Sequence, residues 1–145
     1  MKKRQKGTLS NFFVEIIIVI LFFSLATVII SKMFVSSSYN NRINRLRTRS
    51  INNASSIIEV YKIADSMDDC LKKAIDVECK YQKQDNIYKI NLNEHMKHEE
   101  YGNIKLYIQE QADMTKAGVN KTINMKYIYN NREIYVIEGK KYEKK

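Results

Sequence analysis

Apolar residues dominate one continuous stretch near the N-terminus of the chain. From Phe12 to Ile30 the only residues that are not apolar are Glu15, Ser24 and Thr27. At about 1.5 Å per residue, a helix of this length can cross a hydrocarbon core about 30 Å thick. The pattern therefore predicts a transmembrane helix over residues 11–35, preceded by a basic leader at residues 1–10.

A second pattern follows the apolar stretch and has the spacing of one helix face. Apolar or small residues recur every three or four positions: Ile43, Leu46, Ser50, Ala54, Ile57, Tyr61, Ala64, Met67, Leu71 and Ala74. No glycine lies between Gly7 and Gly102, and the chain has no proline. We therefore expect one unbroken helix from about Leu9 to about Asp76, of which residues 41–76 lie outside the bilayer. The alternative is two helices hinged at Ser36 to Asn41.

The remainder of the chain has short segments rich in β-branched and aromatic residues, which are typical of strands. They centre on Ile87 to Leu92, Ile104 to Ile108, Ile123 to Ile128 and Ile134 to Ile137. Asn130-Asn131 suits a tight hairpin turn because asparagine tolerates positive φ, and Gln111 to Lys121 is expected to be a longer loop. The order predicts an α+β fold, in which the outer half of a long N-terminal helix packs on a small antiparallel sheet. Residues 36–145 then form one domain, with strands at about 86–138.

The flanking charges bear on orientation. Basic residues are retained on the cytoplasmic side of a membrane span, and the leader contains Lys2, Lys3, Arg4 and Lys6. We expect a single-pass protein of the cell membrane with a cytoplasmic N-terminus and an extracytoplasmic C-terminal domain. A strict count of Lys and Arg slightly favours the reverse, because Lys32 and four arginines follow the span.

A cleaved secretory signal is the competing interpretation of the N-terminal segment, with Ser24 and Ala26 placed like a cleavage site. Glu15 within the apolar region argues against it. So does the apolar stretch Thr27 to Val35, which would remain on the mature chain.

The carboxylate of Glu15 is the unusual residue of the span. A charged side chain at the centre of a membrane helix costs roughly 2.5–3.5 kcal/mol on insertion scales and less near the interface. Two interpretations follow. Glu15 either reaches the headgroup region, or it pairs with a cation of a neighbouring chain.

Residues 6–35 resemble the N-terminal segment of type IV pilins and pseudopilins. In that family a short basic leader ends in a small residue, and an apolar helix follows with Glu at its fifth position. Asn11, Phe12, Phe13, Val14 and Glu15 fit this register, with Ser10 in the place of the usual glycine. TadE-like pilus proteins, which carry a Val-Glu pair at the start of an apolar span, are a sister resemblance.

The resemblance implies a processing site and an assembly contact. A prepilin peptidase would cut between Ser10 and Asn11, and Glu15 would pair with the N-terminus of a neighbouring subunit. A cut between Gly7 and Thr8 is the alternative, although it places Glu15 at the eighth position.

The implied function is that of a structural subunit, a minor pilin or pseudopilin of a type IV-like filament or a type II secretion-like system. Its partners are then membrane lipid, the prepilin peptidase and other pilin-like subunits, contacted through the N-terminal helix. A single-pass protein that never polymerises is one alternative. Another is a DNA-uptake subunit that binds nucleic acid phosphates through a basic surface, formed by Arg42, Arg45, Arg47 and Arg49 together with the Lys-rich C-terminus; the formal net charge of the chain is +9.

The remaining chemistry-bearing residues are few. Cys70 and Cys79 are predicted either to form a disulfide, allowed outside the cytoplasm, or to be free or buried thiols. His95 and His98 have metal-ligand spacing, but no second cluster completes a site, so Asn93 to Asn103 is interpreted as a charged hairpin loop. Without a phosphate loop, nucleophile elbow or acid–base pair, the sequence predicts a non-enzyme with no metal and no cofactor.

Overall fold

The chain forms two helices followed by five strands, here described from a computed structural model over residues 5–116 and 118–144, with side chains from residue 11 onward. The elements are α1 (Gln5–Ile63), α2 (Met67–Ala74), β1 (Gln82–Gln84), β2 (Ile87–Leu92), β3 (Ile104–Thr115), β4 (Gly118–Tyr129) and β5 (Arg132–Lys144). The chain divides into two compact units, with the boundary between Arg42 and Ile43. The fold is of the α+β class, as the sequence predicts.

The apolar stripe of α1 beyond residue 42 is buried, which confirms the periodicity. Leu46, Ala54, Ile57 and Tyr61 are between 0% and 4% exposed. The alternative of a helix break at residues 36–41 is not seen, because α1 includes them.

The expected single helix to about Asp76 is wrong, because the chain leaves α1 at Ile63. Ser66 has extended backbone angles, φ −142° and ψ 162°, and its side chain accepts a hydrogen bond from the Asp69 backbone N–H. Serine is a favoured helix N-cap since its hydroxyl satisfies an N–H that lacks a partner within the helix. Ser66 therefore begins a second helix, which buries Met67, Cys70 and Leu71.

The five strands form one antiparallel sheet in the order β1-β2-β3-β4-β5. Asn130 and Asn131 join β4 to β5 with φ of 49° and 60°, as the tight turn predicted there requires. The loop predicted at Gln111 to Lys121 is wrong, since β3 continues to Thr115, which pairs with Gly118 at the start of β4. The short edge strand β1 was not predicted.

Alternate residues of the sheet face α1 and complete one core. The largest fully buried strand residues are Ile90, Leu92, Ile104, Leu106, Ile108, Ile123, Met125 and Tyr127. Polar contacts join helix and sheet at the margins of this core: the Tyr127 hydroxyl donates to Asn53 Oδ1 at 2.7 Å, and Arg47 Nε donates to the Ile134 carbonyl at 3.0 Å. Residues 43–145 are thus stabilised by their own apolar interior.

Candidate functional site

The apolar side chains at the N-terminal end of α1 are uncovered. Every large apolar residue from Phe12 to Val35 is at least 38% exposed, and most are near 60%. Within the described residues, α1 is the one helix long and apolar enough to cross a membrane. The core helix of a soluble protein can pass the same test, but its apolar stretch would be mostly buried, whereas none of this stretch is buried by the described residues.

Two hydroxyl groups within the apolar stretch are satisfied by the helix itself. Ser24 Oγ donates to the Ile20 carbonyl and Thr27 Oγ1 to the Phe23 carbonyl, each at 2.8 Å. This bond to the carbonyl four residues earlier is a common arrangement for such residues in helices. Neither hydroxyl therefore needs water, which suits a helix surrounded by lipid or by other helices.

Glu15 lies exposed on this same segment of α1. Its carboxylate has no ion-pair partner among residues 11–116 and 118–144. Asn11 is also exposed, and the two predicted cleavage positions, Ser10-Asn11 and Gly7-Thr8, both fall within α1; the side chains of Gly7, Thr8 and Ser10 lie outside the described ones. The geometry leaves Glu15 available to a group supplied from outside the described chain.

The four arginines of the predicted basic surface have different environments. Arg47 donates to the Ile134 carbonyl, and Arg49 Nη1 donates to the Glu94 carbonyl at 2.8 Å. These two side chains therefore attach α1 to β5 and to the loop between β2 and β3. Arg42, Arg45 and Arg47 are exposed, and Arg49 is half-buried.

Both cysteines are buried free thiols, which is one of the two predicted outcomes; the disulfide stays a prediction for an oxidising compartment. Cys70 Sγ lies 3.5 Å from the Ile57 carbonyl. Burial raises the pKa of each thiol to about 11, from an ordinary 9.0. Because the thiolate is the reactive form, both are poor nucleophiles in the folded protein.

The histidine segment forms a tightly bonded loop, as predicted. The Asn93 side-chain oxygen accepts from the backbone N–H groups of His95 and Lys97. In the part of the chain that the structure describes, no group of three or more His, Cys, Asp or Glu side chains could hold a metal ion.

One polar cluster at the end of α1 escaped sequence reasoning. The Tyr61 hydroxyl donates to Glu110 Oε1 at 3.0 Å, and Lys141 Nζ donates to the Ala64 carbonyl at 2.8 Å while pairing with Glu143 at 3.0 Å. Burial, followed by the bond to Glu110, raises the pKa of Tyr61. A lysine at a helix C-terminus satisfies a free carbonyl and opposes the helix dipole. The signal available in the sequence was only a tyrosine within an apolar stripe.

These contacts build the folded unit of residues 43–145, while the large apolar residues from Phe12 to Val35 are exposed among the described residues. The chain has no significant match among protein-family models, curated proteins or solved structures.

Proposed function

We propose that this protein is a membrane-anchored structural subunit that assembles with pilin-like subunits through its N-terminal helix, as a minor pilin or pseudopilin does. The filament is of the type IV or type II secretion kind. Before assembly the segment at residues 11–35 is held in lipid, with the N-terminus in the cytoplasm and residues 43–145 on the other side.

The observation that carries this proposal is the contrast between an apolar helix exposed on every side and a carboxylate placed within it. Lipid covers apolar side chains, but it accommodates the charge of Glu15 only if that carboxylate reaches the headgroup region. A neighbouring subunit supplies both an apolar helix surface and, at its processed N-terminus, a cation. An ion pair in such surroundings is a strong, directional contact.

The arginine contacts are consistent with a structural role. Arg47 and Arg49 each donate one N–H to a backbone carbonyl within the fold. A DNA-uptake surface is the alternative, in which the remaining N–H groups of these two arginines act together with Arg42, Arg45 and the C-terminal lysines. Steep loss of DNA binding with added salt is the result that would favour that alternative.

The first test is the mature N-terminus of protein purified from membranes of cells that contain a working prepilin peptidase. Mass spectrometry is expected to find a chain that begins at N-methylated Asn11. A chain that begins at Thr8 would move the cleavage site without removing the assembly role. A cut after Ala26 would identify a secretory signal, and an intact Met1 would remove processing altogether.

The second test measures assembly through Glu15. The variant Val19→Cys is expected to crosslink between subunits. Adding Glu15→Gln should lower the crosslinked fraction about tenfold or more, because hydrogen bonds to charged groups contribute roughly 1.5–3 kcal/mol. Glu59→Gln is the matched control, since Glu59 is exposed on the same helix beyond residue 42. An intact N-terminus together with no crosslinking would leave a single-pass anchor that does not polymerise.

A further inference from the structure

An open cleft lies between α1, the end of α2 and the loop that connects β2 to β3. Its volume is about 340 Å³. The polar side chains that line it come from one face of α1 and from the loop: Arg49, Asn52, Asn53, Ser56, His95 and Lys97. The four helix residues recur at spacings of three and four, so they lie on one side of α1.

The cleft presents hydrogen-bond donors and positive charge. Arg49 and Lys97 are basic side chains, and none of the described lining residues is acidic. The side-chain oxygen of Asn53 accepts a hydrogen bond from the Tyr127 hydroxyl. The side-chain NH₂ group of Asn53 is then the part that can donate to a ligand. Arg49 uses one N–H on the Glu94 carbonyl and has five in all.

The loop side of the cleft is held in a fixed conformation. Met96, which separates His95 from Lys97 in the sequence, has a φ of 60° and is 6% exposed. Its side chain is therefore buried in the core. The Asn93 backbone N–H donates to the Lys97 carbonyl at 2.9 Å. The side-chain oxygen of Asn93 accepts from the backbone N–H groups of His95 and Lys97. Because the loop is already ordered, little conformational entropy is lost when a ligand binds.

We propose that this cleft binds a phosphate group, free or as part of a phosphate ester. A tetrahedral phosphate offers three or four oxygens, which match donors arriving from two sides, whereas a carboxylate offers only two. The planar guanidinium of Arg49 suits two oxygens of one group, and Lys97 adds a point charge. The inference is independent of filament assembly, since every residue involved lies in residues 43–145.

The two histidines provide an internal comparison for a binding test. His95 lines this cleft, while His98 lines a different crevice together with Lys80 and Lys89. The full-length chain, isotopically labelled at histidine and held in micelles of a neutral alkyl maltoside, is titrated with inorganic phosphate at constant ionic strength. We expect the ring resonances of His95 to move to saturation and those of His98 to stay nearly unchanged. Sodium chloride at the same ionic strength should move neither.

A pair of lysine variants tests the site directly. Lys97→Gln should weaken phosphate binding about tenfold, whereas Lys105→Gln, which removes an exposed lysine that does not line the cleft, should leave it unchanged. Equal responses of the two histidines, equal losses in the two variants, or no saturable shift would overturn the proposal.

A second titration identifies the source of the phosphate group. Phosphatidylglycerol is added to the micelles in place of inorganic phosphate. A saturable His95 shift that Lys97→Gln reduces would assign the cleft to a lipid headgroup. A response to inorganic phosphate alone would assign it to a soluble phosphate or phosphate ester.

Discussion

Ile17 and Ile57 belong to the same helix, and their surroundings differ completely. Ile17 is 61% exposed, whereas Ile57 is fully buried. Beyond residue 42 the helix stripe is covered by strands of the same chain, whereas the apolar residues before it are exposed in the part of the chain that the structure describes. Contiguous exposed apolar surface of this kind marks a site that contacts lipid or another protein.

The difference shows that one helix can be stabilised in two ways along its length. Residues 43–63 depend on tertiary packing against the sheet. The apolar side chains of residues 11–35 have no such packing among the described residues. Substitutions at matched residues in the two regions separate these dependences.

The largest effect on folding is expected from Ile57→Ala. A buried isoleucine cut back to alanine destabilises a protein by about 2–5 kcal/mol, because transfer energy is lost and a cavity remains. Ile17→Ala should leave the unfolding of residues 43–145 nearly unchanged. Urea unfolding in detergent, followed by the fluorescence of the ten tyrosines, measures both. Similar losses in the two variants would break the comparison.

The complementary change places a charge in each region. Ile20→Arg should reduce the membrane-retained fraction, because arginine near the centre of a membrane helix costs roughly 2.5–3.5 kcal/mol. Ile87→Arg, at a 40% exposed residue of the sheet, should leave membrane retention intact. Carbonate extraction followed by immunoblotting gives the two fractions. If both variants are retained equally, lipid is not the cover for residues 11–35.

The buried thiols predict that the free energy of unfolding of residues 43–145 depends on pH. Their pKa is about 11 in the folded protein and 9.0 ordinarily, so above pH 9 the unfolded chain releases thiol protons that the folded chain retains. Stability should be unaffected by the thiols below pH 9 and should fall as pH rises from 9 to 11. The double variant Cys70→Ala, Cys79→Ala should show a shallower fall in urea midpoint over that range. If the urea midpoint falls equally with pH in the variant and in the unchanged protein, burial does not raise the pKa of the thiols.

The smallest effect concerns Ser50, whose Oγ is buried without a hydrogen-bond partner among the described residues. Ser50→Ala should raise the free energy of unfolding by about 1 kcal/mol, because an unsatisfied buried hydroxyl is removed and alanine favours the helix. Ser55→Ala, at an exposed residue of the same helix, measures the helix preference alone. If Ser50→Ala lowers the free energy of unfolding relative to Ser55→Ala, the Ser50 hydroxyl makes a stabilising contact.

Periodicity was informative wherever one face of an element is buried. The stripe from Leu46 to Tyr61 was predicted because apolar or small side chains recur at the period of a helix face. The strand Ile87 to Leu92 was predicted because it is rich in β-branched and aromatic residues. The Asn130-Asn131 turn was predicted since its backbone conformation demands such residues. Local chemistry and global fold agree at these positions.

The errors fall where the periodic pattern of burial does not follow the boundaries of the elements. The helix break at Ala64 to Ser66 is hidden because Ala64, Met67 and Leu71 all reach the same core, so the stripe continues across two helices. The segment Gln111 to Thr115 is exposed throughout, and its strand is maintained by backbone pairing with β4 and not by apolar side chains. The cleft at Arg49 was missed since it depends on a loop far away in sequence.

The order in which the elements are synthesised gives the Asn53–Tyr127 contact a further consequence. The hydroxyl that reaches Asn53 is made 74 residues later, and the carbonyl that accepts from Arg47 is made 87 residues later. At roughly 5–20 residues per second, translation separates Asn53 from Tyr127 by about 4–15 s. The sheet can form hairpin by hairpin as it emerges, but the core stays incomplete until β4 supplies Ile123, Met125 and Tyr127. A nascent chain that stalled before β4 would leave the apolar stripe of α1 partly uncovered, so synthesis of β4 is the step that protects the new chain from aggregation.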